Sequence, residues 1–250
     1  MCRLIGLLEN LCMRLQFICC KVMQREAYFC AARSKNVVDV VLMEQGLHDT
    51  PDELRREVQK ALANTLDIQG RPYDASLLGY GLCSNGIVGL SAKIPIVVPR
   101  AHDCVTLLLG SKEKYQGYFD SHRGVYWYST GWIEAGKPPG KERYEKLLAE
   151  YREKYGDDNA EYLMEVEQSW MTEYNWATYV DWGLANTQEY KDYAKQCAEF
   201  LNWNFDELKG SPVLMQRLLD GDWDENDFLV VEPGHKINED LTNEGIIKAQ

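Results

Sequence analysis

Basic residues are scarce: 27 Lys and Arg stand against 39 Asp and Glu, for a formal net charge of −12. A field of that sign repels phosphate backbones and anionic lipid surfaces, which argues against nucleic acid and membrane surfaces as partners. Long apolar runs are also missing, since no stretch approaches the ~18 residues that a spanning helix needs. The apolar residues 1–20 are interrupted by Glu9, Asn10 and Arg14, and no small-residue cleavage site follows. They read as neither leader nor anchor, and the chain is expected in the cytoplasm. No Cys-x-x-Cys pair occurs among the 8 cysteines, which removes a thioredoxin-type motif and a zinc knuckle.

What is present suffices for a full core. Of the 250 residues 45% are hydrophobic, with 7 Trp, 15 Tyr and 6 Phe among the aromatics, enough burial to offset the entropy of ordering. Residues 14–20 (RLQFICC) and 37–43 (VVDVVLM) read as strands, with a helix over 22–32 between them. Thr50-Pro51-Asp52-Glu53 starts a helix, with Thr as N-cap, Pro at the first helical position and Glu completing a capping box. Further strands are expected at 75–80, 94–98 and 124–128, with a helix over 104–118.

From Gly136 the composition shifts. A charged helix over 143–155, with Tyr144, Leu147, Leu148, Tyr151 and Tyr155 on its buried stripe, is followed by a helix over 161–174. Strands at 178–182 and 228–232 and helices at 190–201 and 213–219 complete the pattern. The fold class is therefore α/β: a doubly wound, mostly parallel sheet of six or seven strands, helices on both faces and a helical cap. Residues 1–12 read as an extension, 13–238 as one domain with a helical insertion at about 136–176, and 239–250 as a frayed tail.

In an open α/β sheet, ligands bind beyond the carboxyl ends of the strands. That rule gathers the reactive residues. Cys19 and Cys20 end the first strand, Glu44 and His48 follow the second, Cys83 sits in the turn Gly81–Gly86 after the third, and His102-Asp103-Cys104 follows the fourth. Thiolate and imidazole are the ligands of choice for zinc, and thiolates also suit other thiophilic metals. Cys20, Cys83 and Cys104, with His102 as a fourth donor, are the candidate metal ligands. Glu44 and His48 are the candidates for work on substrate protons or for orienting ligands. Gly81 and Gly86 are candidates for letting backbone N–H groups approach an anion or a metal-bound ligand. A His-x-Cys pair with a distant third Cys is similar to the ligand set of zinc enzymes that activate thiols for methyl transfer.

Cys30 and Cys197 fall on apolar helix faces and read as small core residues. The tryptophans between 127 and 203 read as core and cap, with a wall for a flat or large cofactor as the sharper alternative.

The segments EQGLHDTPDELRREVQ (44–59), LLGYGLCSNGIVGL (77–90), VPRAHDCVTLLLGSKEKY (98–115) and STGWIE (129–134) resemble the family known as domain of unknown function 1638. The likeness extends over about residues 17–237. It implies that Cys20, His48, Cys83, His102 and Cys104 are the recurring family positions, and that Cys20 rather than Cys19 faces the site. Such proteins occur in anaerobic archaea and bacteria, often encoded near corrinoid-dependent methyltransferases. The resemblance therefore implies anaerobic one-carbon or methyl-transfer metabolism, with a corrinoid brought by a partner protein and a small-molecule thiol or methyl acceptor as substrate. Two alternatives stand beside a metal site. One is a non-catalytic accessory binding a corrinoid protein or its cofactor through the Trp- and Tyr-rich cap, Trp132 and Trp170 included. The other is a metal-free enzyme with Cys83 as nucleophile and His102 as base.

Overall fold

Alternating runs of β-branched and amphipathic sequence build two sheets. The structure is a computed structural model describing residues 12–136, 138–240 and 246–250. In the larger sheet, β1 (Arg14–Cys20), β2 (Val37–Met43), β3 (Ala75–Gly79) and β4 (Ile96–Pro99) run parallel. Its strand order is β2-β1-β3-β4, closed at the far edge by Phe228–Val231, which pairs antiparallel with β4. The chain moves outward from β1 to β2 and then returns to place β3 on the other side of β1, so the order reverses between β1 and β3. Helices at such a reversal leave from opposite sides and open a crevice at the carboxyl ends.

The connections are short helices that bury one face. A single 3-10 turn (Lys21–Met23) leads from β1 into α1 (Gln24–Arg33), and α2 (Pro51–Leu62) buries Leu54, Val58 and Leu62. Pro51 takes the first helical position as expected, but the Thr50 hydroxyl hydrogen-bonds the Glu53 carboxylate at 3.4 Å rather than a backbone N–H. The helix expected over 104–118 is two helices, α3 (Val105–Leu109) and α4 (Lys112–Ser121). Gly110 breaks it with φ +79°, and Ser111 caps the second piece by accepting from the Lys114 N–H at 3.0 Å.

The seven strands expected in one doubly wound sheet are divided. The strands β5 (Val125–Ser129), β6 (Trp176–Asp181) and β7 (Asn204–Lys209) form a separate parallel sheet in the order β5-β6-β7. The free edge of β4 is already taken by Phe228–Val231, so β5 has no place beside it. Helix α5 (Thr130–Ala135) follows β5 and joins the two sheets by packing on the 3-10 turn after β1.

The cap consists of α6 (Lys141–Tyr155), α7 (Asp157–Gln168) and a 3-10 turn (Ser169–Glu173), with α6 packed on α7. The stripe expected to be buried on α6 is at most half-buried, and Tyr155 is 44% exposed, because this helix lies on α7 rather than on a sheet. Helix α8 (Thr187–Leu201) covers β6 and β7, and α9 (Val213–Asp220) packs against α1 and β3 before β8 (Phe228–Val231). The tail expected to fray instead ends in a two-stranded ribbon. There, β9 (Ile237–Glu239) pairs antiparallel with β10 (Ile247–Ala249), and Ile237 and Ile247 are fully buried. The extension expected over residues 1–12 lies, except for Cys12, outside the described residues.

Candidate functional site

One cavity of about 940 Å³ opens at the carboxyl ends of β1 to β4, and β5, α5 and the cap close its other side. Cys20, Glu44, His48, Cys83, His102 and Cys104 all line it. Residues far apart in sequence thus meet at the crevice where the strand order reverses. Cys20 faces the cavity, whereas Cys19, one residue earlier on a pleated strand, points into the core and is fully buried.

Two loops hold the thiols of Cys83 and Cys104. The segment after β3 lies alongside the segment after β4, with the Leu82 N–H donating to the Ala101 carbonyl at 2.8 Å and the Cys83 N–H to the His102 carbonyl at 2.9 Å. Gly81 permits this approach. A Cβ there would sit 2.6 Å from the Asp103 nitrogen and 2.7 Å from the Ala101 oxygen. Gly86 serves packing too, its place for a Cβ being 2.5 Å from a Leu54 methyl. Neither glycine lines the cavity. The role expected for them, backbone approach to a ligand, falls instead to packing between protein segments. The left-handed residues of the loop are not glycines but Cys83, Ser84 and Asn85, with φ of 46°, 55° and 64°. Left-handed backbone costs an L-residue on the order of 1–2 kcal/mol, and runs of it concentrate at functional sites.

Burial dominates the electrostatics of the thiols. It pushes Cys83 up to about 12, helped by the charge of Asp103, and pushes Cys104 well above the ordinary thiol range. Cys20 rises for the same reason, opposed by the N–H groups of Val22 and Lys21 that donate to its sulfur. The three are close enough to feel one another: Cys104 is raised further by Cys83 and Cys20, and Cys83 by Cys20. Without a cation beside them, all three are thiols at neutral pH.

Tyr80, the residue after β3, completes this end. It is 3% exposed, lines the cavity, and its hydroxyl has no hydrogen-bond partner among the described residues. Its ionisation is opposed by burial and by Cys20, Cys19, Cys83 and Cys104 around it. A buried hydroxyl without a partner costs on the order of 1–3 kcal/mol. Beside it, Asp103 accepts from the Tyr115 hydroxyl at 2.6 Å and from the Val105 N–H at 2.9 Å, while burial raises its carboxyl.

The donors are those a thiophilic cation prefers, but their spacing is not that of a closed site. Among the described residues, no group of three His, Cys, Asp or Glu stands ready to hold a metal ion. Glu44 is turned outward, 80% exposed at its side chain and 3.6 Å from the Lys21 ammonium. His48 lies 3.3 Å from the Asp49 carboxylate, with its ring centroid 5.7 Å from that of Trp132.

The far wall is aromatic. Tyr126, Trp127, Trp132, Trp170 and Tyr174 line it, with Arg143 of α6, whose guanidinium is 2.7 Å from the Glu167 carboxylate. Sequence reasoning missed Tyr80, Tyr126, Tyr174 and Arg143. Tyr80 was within reach of the strand-end rule that found the cysteines, but an aromatic residue at a strand end reads first as core. The other three come from the second sheet and the cap, and no sequence signal brings those to this crevice.

The sequence model of a family described as a protein of unknown function, DUF1638, matches residues 42–219. The matched stretch contains every lining residue named above except Cys20. No curated protein and no solved structure matches the chain.

Proposed function

We propose, for a chain that belongs to the DUF1638 family of proteins of unknown function, that the thiol end of its cavity binds a thiophilic metal ion, zinc first. Cys20, Cys83 and Cys104 would be the ligands and His102 the fourth donor. The observation that carries this reading is the unpartnered hydroxyl of buried Tyr80 amid three thiols on one cavity wall. Cysteine side chains turn about one torsion, so holding an ion would need rotation at Cys20, Cys83 and Cys104 to bring the sulfurs together. A bound ion of this class supplies the positive charge that keeps thiols ionised at neutral pH and polarises a ligand in an open coordination position.

The protein's own groups have separate tasks. The paired loops fix Cys83 next to Cys104. Tyr80 offers a hydroxyl to whatever occupies the space between the sulfurs. His48 at the rim, held by Asp49, is placed to take a proton from an entering thiol or methyl acceptor, and Glu44 lies further out. The wider setting, anaerobic methyl transfer with a corrinoid partner, is proposed on the family likeness alone. Against the metal-free reading, with Cys83 as nucleophile and His102 as base, stands the burial that pushes this thiol up to about 12.

The test is elemental analysis of protein purified without oxygen, followed by zinc titration against a chromophoric chelator. About one ion per chain is expected, and its loss in the Cys83→Ser, Cys104→Ser double variant. Because the buried thiols must shed protons to bind, affinity should rise with pH, by about a decade per unit for each thiol that ionises. Full occupancy in the double variant, or affinity independent of pH, would overturn the assignment.

A further inference from the structure

The other end of the same cavity has a geometry of its own. Tyr126 on β5, Trp132 on α5, and Trp170 and Tyr174 at the base of the cap bring four rings to one wall. Three of their pairs are steeply inclined, Trp170 and Tyr174 at 87° with centroids 5.5 Å apart, Tyr126 and Tyr174 at 74° and 5.6 Å, Tyr126 and Trp132 at 74° and 6.3 Å, while Tyr126 and Trp170 are tilted by 40° at 6.1 Å. A flat cofactor needs parallel walls to stack between. Faces near right angles form a corner instead, and what fills a corner of π-faces is a compact rounded group.

Charge selects its sign. The negative faces of aromatic rings attract cations, and the polar edge of Trp132 is already spent, its indole N–H donating to the Tyr126 hydroxyl at 3.2 Å. Burial raises the Tyr126 hydroxyl most, the Arg143 charge lowers it and the Asp49 carboxylate raises it less strongly, while the chain as a whole carries −12. Arg143 is the one Lys or Arg among the described lining residues. Its charge is met by Glu167, and its guanidinium lies 5.6 Å from the Trp170 ring centroid, so this wall already accommodates a cation.

We infer that Tyr126, Trp132, Trp170 and Tyr174 form a cage for a compact organic cation, a methylated ammonium or sulfonium head group, with Asp49 as its counter-charge. Methyl-bearing onium ions are weakly hydrated and spread their charge over C–H surfaces, which is what an aromatic corner recognises. The inference deepens the reading of this cavity as a ligand site. It shares none of the proposed metal ligands, so either can fail alone.

The experiment is titration of the full-length protein with choline, tetramethylammonium and trimethylsulfonium, followed by tryptophan fluorescence and calorimetry. The control is 3,3-dimethylbutan-1-ol, the uncharged counterpart of choline with the same shape. All three cations should bind saturably, choline at least about tenfold tighter than the alcohol. Trp132→Ala should abolish the preference, Trp132→Phe should weaken it, and the Cys83→Ser, Cys104→Ser variant should keep it. Equal binding of choline and the alcohol, or no saturable binding of any cation at millimolar concentration, would overturn the cage. So would a flat probe such as quinoline binding in place of the cations. These comparisons use the wild-type chain, so a variant that fails to fold leaves the test intact.

Discussion

At the scale of single residues, one buried acid gives the stability a pH dependence. Glu26, near the start of α1, is 2% exposed, and one of its carboxylate oxygens has no partner. Burial raises its carboxyl to about 7. The folded state therefore holds a proton that the unfolded chain releases near its ordinary value of 4.5. Stability from this group is greatest below that value and is lost as the pH rises towards 7, a decline of about 3 kcal/mol. Glu26→Gln should flatten the decline, leaving stability near pH 4 little changed and adding about 3 kcal/mol at pH 8. Urea unfolding at the two pH values measures it, and equal effects at both would refute the assignment. The thiols were readable from the sequence because the strand-end rule needs only strand boundaries. The left-handed conformation of Cys83, Ser84 and Asn85 was not, since flanking glycines made a permissive turn the simpler expectation. Only the close approach of residues 101–103 to Gly81 shows that the glycines serve packing.

At the scale of elements, local signals proved sufficient wherever an element's own sequence sets its ends. β1 and β2 occupy the residues expected of them, because apolar or β-branched runs mark strands, buried in β1 and half-buried in β2 at the sheet edge. The single helix expected over 104–118 is interrupted by a local signal, the Gly110-Ser111 pair that stops one helix and caps the next. Gly110 is doubly constrained: φ is +79°, and a Cβ would lie 2.8 Å from the Ser211 carbonyl oxygen. Gly110→Ala should cost about 2 kcal/mol or more in denaturant unfolding, whereas Gly117→Ala, inside α4 with open space around it, should be neutral or stabilising. An equal effect of the two substitutions would contradict this account of the break. β7 went unread because an edge strand with the sequence NFDELK carries few apolar residues.

At the scale of the whole molecule, the cavity exists because two sheets meet. Gly131 on α5 sits against the 3-10 turn after β1 so closely that a Cβ would overlap the Val22 carbonyl oxygen. Backbone cannot yield as a side chain can. Gly131→Ala should therefore destabilise the protein by at least about 1–3 kcal/mol and disturb the cavity with it. Thermal unfolding and ligand titration on the same sample would show both effects, and a variant with wild-type stability would mean the junction is looser than its geometry implies. Nearby, Arg25 of α1 pairs with Glu134 of α5 at 2.6 Å, and Glu134 accepts from the Tyr190 hydroxyl of α8 at 2.6 Å. These contacts span both sheets across more than a hundred positions of chain.

The sequence by itself determined the mixed α/β character, the parallel strands and the thiols at their carboxyl ends, because side-chain periodicity and strand termini are local properties. Only the tertiary structure decided that the strands divide between two sheets, and that the second sheet and the cap turn an aromatic wall towards those thiols. Which edge a strand joins depends on which edges are already occupied, and that competition between distant segments leaves no mark on any one of them.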